Sequence, residues 1–484
     1  MKSAGDWITR NVSRLRGAAS EKLDAKPPRG PRPPVSARPL AERLEATLRR
    51  PGEAMTPRAL RRALAELQAV VDTSVSEVEG GRRAHDFVQA YAALAADERR
   101  DVWLLVSERF APDMQELQSA RERHGTAVGT VDEGQAEVRL RRALASPRAR
   151  LLQRFAIEPG GMRFLVDLRA ELLPQLKGDR RLLPLEAELE SLFSTWFDVA
   201  FLELRRISWD SPASLIEKLI EYEAVHDIKS WADVKNRLDS DRRCYGFFHP
   251  RLPNTPLIFV EVALVDHVSA GIAPLLDEAA ALVRPDKAAT AIFYSISNTQ
   301  AGLRGISFGD SLIKRVVETL QQELPRLKTF ATLSPIPGFR AWLGKQAGGL
   351  VERLDEKPAA ELGRAIGSLP PTAERFLAAA EEGPALDAKS PVRQLLLSAA
   401  AEYLGRATAD GKPVDAVARF HLGNGARVER INWAGDPSPK GVRQSYGLMV
   451  NYLYDLKRLD KHRALLAQGK VAVSGSVDDL FLKG

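Results

Sequence analysis

The sequence contains one cysteine, Cys244, which excludes a disulfide within the chain and a cysteine-rich zinc site. A single thiol fits a reducing compartment. Nowhere does the chain run to the roughly 18 apolar residues that a membrane-spanning helix needs. Its most apolar stretch, 256–265, is broken by Glu261. There is no secretory h-region, and residues 481–484 do not spell a peroxisomal signal. A surplus of acid is missing as well: the net charge is +7, which raises the question of nucleic acid. The position of that charge answers it. Residues 1–38 carry nine Lys and Arg against three Asp and Glu, a net of +6, which leaves about +1 for the other 446. We therefore expect neither a nucleic-acid nor a membrane partner. The expected location is the cytoplasm of a bacterial-type cell; an organelle transit peptide in the Arg-bearing stretch 7–16 is the alternative.

What is present divides the chain. Residues 1–39 are basic and, from 27 onward, dense in proline, and are read as a disordered arm. From 40 to 204 apolar residues recur at helical spacing, as in Leu60, Leu64, Leu67 and Val71 after Thr56-Pro57, an N-cap followed by proline at the first helical position. This region predicts a helical bundle serving as a scaffold or oligomerisation domain, with charge on its outer faces. Residues 205–484 mix helices with strands, so the expected class is α+β. Strands are predicted at 244–249, 257–265, 289–297, 329–333, 417–422 and 427–433. Helices are predicted near 211–225, 228–238, 307–324, 338–345, 370–407 and 440–456.

Within this half, Ala291 to Ser297 reads as a strand, 298–305 as a loop, and 306–316 as a helix start. Gly302, Gly305 and Gly309 allow close backbone approach, and a helix start offers free N–H groups to a phosphate. Arg304 adds a charge-assisted contact. The candidate phosphate contacts are Arg304, Gly305, Ile306, Ser307, Phe308, Gly309 and Asp310. The stretch is neither a Walker A sequence nor a dinucleotide glycine motif. It resembles the pyrophosphate loop of GNAT-type acyltransferases, in which the preceding strand splays from its neighbour and a thioester enters the gap. The usual Arg/Gln-x-x-Gly-x-Gly/Ala pattern becomes Arg-Gly-x-x-x-Gly over 304–309.

Three longer stretches carry a more specific resemblance: 248–257 (FHPRLPNTPL), 332–339 (TLSPIPGF), and 419–425 (RFHLGNG) followed by 430–433 and 446–452. In order and spacing they are similar to the malonyl-CoA decarboxylase family, over about 205–455. That resemblance implies a GNAT-like catalytic domain and conversion of malonyl-CoA to acetyl-CoA and carbon dioxide. It further implies no metal or organic cofactor, and a homotetramer. The thioester carbonyl is itself an electron sink, so the protein has to position a carboxylate, stabilise an enolate oxygen and protonate carbon. A preorganised donor at an oxyanion is worth roughly 3–4 kcal/mol, and a placed acid about 10²–10⁴-fold.

By the same resemblance Ser334 and His421 are the central pair. Without it, His421 reads as a buried strand histidine and Ser334 as a helix N-cap before Pro335. Ser295 and Ser297 share a strand face and are secondary substrate contacts, as are Asn432 and Tyr446. The family often has an acid at the position of Ser307, so a charge relay there does not transfer. Two other functions fit the same fold: an acyl-CoA N-acyltransferase, and a non-catalytic acyl-CoA sensor that binds a partner through its helical half.

Overall fold

The computed structural model describes residues 38–306 and 312–482. They form two compact units. The first gathers the described residues up to 203 with two excursions from later in the chain, 248–257 and 300–306. The second comprises 204–247, 258–299 and 312–482. The proline-rich arm expected at 1–39 falls, except for its last two residues, outside the described residues.

The first unit is helical, with α1 (Leu40–Glu45), α2 (Pro57–Val71), α3 (Glu77–Ala92), α4 (Ala96–Arg109) and α5 (Met114–Ala127), then α6 (Glu133–Leu144), α7 (Pro147–Ile157), α8 (Gly161–Leu172) and α9 (Leu183–Trp196). Starts are capped from the sequence. Thr56 and Ser76 accept from Ala59 N and Glu79 N, and Asp113 takes two amides at the head of α5. In α2 the buried residues Leu60, Ala63, Leu67 and Val70 form one stripe. The core is aromatic: the Tyr91 and Phe155 rings each meet Phe164 edge-on, with centroids 5.1 and 5.3 Å apart. A buried ion pair ties α1 to α4, Arg43 reaching both oxygens of Asp101 at 2.7 and 2.6 Å. Because both side chains are largely removed from water, removing one partner would cost about 3–5 kcal/mol.

The second unit is built on one sheet, ordered β1-β2-β3-β4-β5-β10-β6 with β9 on β10. The strands are β1 (Glu203–Ile207), β2 (Arg242–Phe248), β3 (Pro256–Val265), β4 (Thr290–Asn298), β5 (Thr329–Thr332), β6 (Ser334–Pro335), β9 (Arg427–Asn432) and β10 (Met449–Leu453). A separate pair joins β7 (Thr408–Ala409) to β8 (Lys412–Pro413). One face is covered by α10 (Ala213–Tyr222), α11 (Trp231–Arg237) and α12 (Ala273–Leu276), whose Ile216, Leu219, Val234 and Leu275 pack on Cys244, Phe259 and Ala263. The parallel pair β4–β5 is linked through α13 (Leu312–Glu323). Then follow α14 (Phe339–Glu352), α15 (Glu356–Ile366), α16 (Ala373–Ala380), α17 (Pro391–Gly405), α18 (Ala416–Gly423), α19 (Pro439–Ser445), α20 (Leu459–Ala467) and α21 (Gly475–Asp478). The fold is thus α+β, a helical unit followed by a domain built on one mixed sheet.

Three local expectations are corrected. The run 417–422 is not a strand but most of α18. Asp415 accepts from Ala418 N at 2.8 Å and starts the helix that the apolar alternation had disguised. Ser334 caps no helix. It lies in β6, opposite Val450, and α14 begins only at Phe339 after Pro337-Gly338. The long helix expected at 440–456 is α19 followed by β10, divided by Tyr446 and Gly447, both in the left-handed region.

Candidate active site

His421 sits in the last turn of α18 and is buried. Its Nε2 lies 3.3 Å from Ser334 Oγ, and its Nδ1 lies 2.7 Å from the Tyr454 hydroxyl. The ring stacks on Tyr452, centroids 4.7 Å apart. Burial without a charged neighbour pushes its pKa down to about 3, so the imidazole is neutral at physiological pH. The tautomer follows from the network. Ser334 Oγ donates to Thr332 Oγ1 at 2.9 Å, and Thr332 Oγ1 also accepts from Tyr452 N at 3.2 Å. The Ser334 proton is thereby used. Ser334 then accepts from His421 Nε2–H, while Nδ1 accepts from Tyr454 O–H. In this assignment the proton on Nε2 faces the serine.

A second network holds the strands beneath this pair. Asn451 is fully buried on β10, where β5 breaks and β6 begins. Its Nδ2 donates to Thr332 O at 2.7 Å and Ser269 O at 3.0 Å. Its Oδ1 accepts from Asn432 Nδ2 at 2.9 Å and from Arg430 Nε at 3.2 Å. Asn432 is tied through Asn451 to the sheet. The Tyr446 ring is edge-on to Phe339 and covered by the Arg340 guanidinium 4.8 Å above it. Burial raises its pKa.

Ser295 and Ser297 face a buried carboxylate. Ser295 Oγ lies 2.8 and 2.7 Å from the two oxygens of Glu223, and Ser297 Oγ lies 3.1 Å from Oε2. The two hydroxyl protons are directed to Glu223.

The predicted phosphate loop is described as far as Ile306; Ser307, Phe308, Gly309 and Asp310 lie outside the described residues. Ala301–Leu303 form a turn of 3-10 helix packed on α8. Gly302 is required there, since a Cβ would fall 1.8 Å from Val166 O. Its lack of a side chain thus serves contact with a helix. Gly305 has φ +84 and open space around it, and Arg304 is exposed. Arg169 fixes the loop. Its Nη1 donates to the carbonyls of Gly302 and Arg304 at 2.7 and 3.0 Å, and its other nitrogens pair with Glu186.

Sequence reasoning missed Tyr454, Thr332, Asn451, Arg169 and Glu223. The run Met449-Val-Asn-Tyr-Leu453, with Gly447 before it, signals a strand and would have exposed the tyrosine after it. Arg169 and Glu223 leave no local signal, because their partners lie 133 and 72 residues away. No three His, Cys, Asp or Glu side chains cluster as metal ligands among the described residues.

Comparison with known proteins identifies the family. Residues 200–484 match the malonyl-CoA decarboxylase C-terminal domain, and 110–197 match the malonyl-CoA decarboxylase N-terminal domain. The chain is 36% identical to mitochondrial malonyl-CoA decarboxylase of Anser anser anser, over 78% of each chain. The corresponding protein of Mus musculus is 38% identical over 77% of this chain and 79% of its own. A crystal structure of malonyl-CoA decarboxylase from Agrobacterium vitis matches with a TM-score of 0.76 at 40% identity, covering 87% of this chain and 100% of the other. That from Cupriavidus metallidurans matches at 0.73 and 43%, covering 88% and 100%. The chain belongs to the malonyl-CoA decarboxylase family.

Proposed function

We propose that this chain converts malonyl-CoA into acetyl-CoA and carbon dioxide, with Ser334 and His421 carrying the chemistry and without a metal or organic cofactor. The observation that carries the reading is the buried 3.3 Å contact between Ser334 and His421, in a chain of this family. Cleavage of the bond to the distal carboxyl releases carbon dioxide and leaves the electron pair in the thioester enolate. The enolate carbon then takes a proton, so each turnover draws one from solvent. His421 Nε2 is the donor, and Ser334 holds the malonyl group through its hydroxyl. Without substrate, burial keeps the imidazole neutral. A malonyl carboxylate beside the ring supplies the opposite charge that favours the imidazolium. Substrate binding thereby loads the acid that the next step consumes.

The test is release of carbon dioxide from malonyl-CoA by freshly purified protein, with and without an amine acceptor. Equal release in both, with acetyl-CoA formed in step, is the expected result. No release, or release of coenzyme A only with the amine, overturns the reading. His421→Asn should keep coenzyme A binding and lose roughly 10²–10⁴ in kcat.

The same reading includes a cytoplasmic homotetramer. Its support is the α5–α6 hairpin, which exposes Met114, Val128, Val131, Val138 and Leu144 as a surface for a second copy. Light scattering should give the mass of four chains, and fractionation of the source cells should leave the protein in the cytosol.

A further inference from the structure

The parallel ladder between β4 and β5 stops midway along β4. Its last pair is Phe293 with Thr332, followed by one bond from Leu333 N to Phe293 O at 3.0 Å. Beyond it β6 turns to β10, and 294–298 of β4 run on without a β5 partner. At the same point β4 carries an extra residue against β3: Glu261 opposes Ser295 while Val262 opposes Phe293. An extra residue bends a strand and re-aims its side chains. Immediately after the bend, Ser295 and Ser297 reach Glu223.

Glu223 closes α10 and is itself firmly placed. Its Oε1 accepts from Val225 N and His226 N at 2.9 and 2.8 Å, and Ala224 N donates to Ser297 Oγ at 3.2 Å. The carbonyls of this turn are held in their turn, His226 O by Arg237 at 2.9 Å and Ala224 O and Val225 O by Lys440 at 2.9 and 2.8 Å. Arg237 is locked by Asp233 and Glu261 at 2.7 and 2.9 Å. The two serines thus pull on a fixed point. A buried carboxylate whose hydrogen bonds run to the two serines and the turn amides needs a reason to exist, since burying it is costly unless hydrogen bonds offset the loss of water.

We propose that Glu223 is a positioning residue: by holding Ser295 and Ser297 it draws the far half of β4 off β5 and keeps open the cleft through which the acyl-CoA thioester enters. This rests on the acyl-CoA reading above. Glu223 touches no reacting atom, and its effect is on binding. A glutamine serves in its place, because the amide oxygen still accepts from the turn amides and the amide N–H₂ can donate to serine oxygens that rotate to accept.

The test compares Glu223→Ala, Glu223→Gln and the double variant Ser295→Ala/Ser297→Ala in the full chain, using kinetics with malonyl-CoA and calorimetric binding of acetyl-CoA. For Glu223→Ala and the double variant, KM and the acetyl-CoA Kd should rise at least tenfold while kcat at saturation stays within about threefold. Glu223→Gln should restore both to within about threefold of the parent. Unchanged KM and Kd in the double variant, with the thermal midpoint preserved, overturns the proposal. So does a glutamine variant that loses kcat while keeping Kd, since that outcome assigns the carboxylate to proton transfer. The double variant keeps Glu223 capped by the turn amides, so the comparison survives if the alanine at 223 does not fold. Acetyl-CoA binding is read without turnover, so a parent protein that binds but releases no carbon dioxide refutes decarboxylation and leaves the role of Glu223 measurable.

Discussion

Tyr454→Phe removes one oxygen and keeps the ring that packs beside His421. The lost bond is 2.7 Å long and reaches Nδ1 of a buried imidazole. Leaving a buried acceptor without a donor costs about 1–3 kcal/mol. The imidazole can escape part of that cost by rotating or by moving its proton to Nδ1, and either change takes the proton away from Ser334. If the whole cost falls on the reactive arrangement, kcat drops by a factor of about 5–150, at about 1.4 kcal/mol per tenfold. We expect a loss of about 10–100-fold, with KM for malonyl-CoA changed less than threefold, because the Tyr454 hydroxyl is engaged by His421 Nδ1. The assay is steady-state carbon dioxide release, with acetyl-CoA followed in the same samples. A kcat within twofold of the parent, in protein with unchanged near-ultraviolet circular dichroism, would refute the reasoning that Tyr454 sets the His421 tautomer.

Acid should destabilise the fold through its buried histidines. His421 and His226 are held neutral, at about 3 and about 4, against an ordinary value of 6.5. Between pH 6.5 and those values the unfolded chain binds protons that the folded chain refuses, so stability present above pH 6.5 falls as the pH drops. Urea midpoints from pH 8 to 4 should show this, and His421→Asn should flatten the slope; a midpoint indifferent to pH in the parent contradicts the burial argument. Gly302→Ala places a carbon 1.8 Å from Val166 O, so the loop must move or α8 must yield. We expect a lower thermal midpoint and weaker acetyl-CoA binding by calorimetry; an alanine variant equal to the parent in both would show that the close approach is not needed.

The legible parts of the chain were those in which local pattern and tertiary role agree. β3 and β4 are long, β-branched and aromatic, and they stand where the sequence put them. Helix α2 is legible as a helix, and Leu60 and Leu67 lie on its buried stripe, which Ala63 and Val70 complete in place of the half-buried Leu64 and Val71. The pair Ser334 and His421 is proposed from the residues that flank it, and the structure brings the two side chains into contact, although the local structure of both differs from the sequence expectation. Val417-Ala-Arg-Phe-His-Leu422 alternates well enough for a strand, and only Asp415 before it and Gly423-Asn-Gly after it mark a short helix. Ser334-Pro335 has the form of a helix start, but a proline without N–H also suits a strand end, which is its actual place. Tyr454 was hidden because Gly447 lay inside a stretch rich enough in helix formers to read as continuous. Glu223 and Arg169 were beyond reach, since their roles exist only once distant segments meet.

The loop at 300–306 also bears on how the gene can be divided. Its backbone carbonyls are held by Arg169, and its one obligatory glycine fits against Val166, both encoded more than 130 residues upstream. A fragment starting near residue 205 would retain Ser334, His421 and Tyr454, yet its loop would have neither the guanidinium nor the helix surface that shape it. The helical half is therefore no detachable appendage. Fusions, truncations and domain exchanges of this chain have to carry both halves together, because it distributes the parts of one loop across its length.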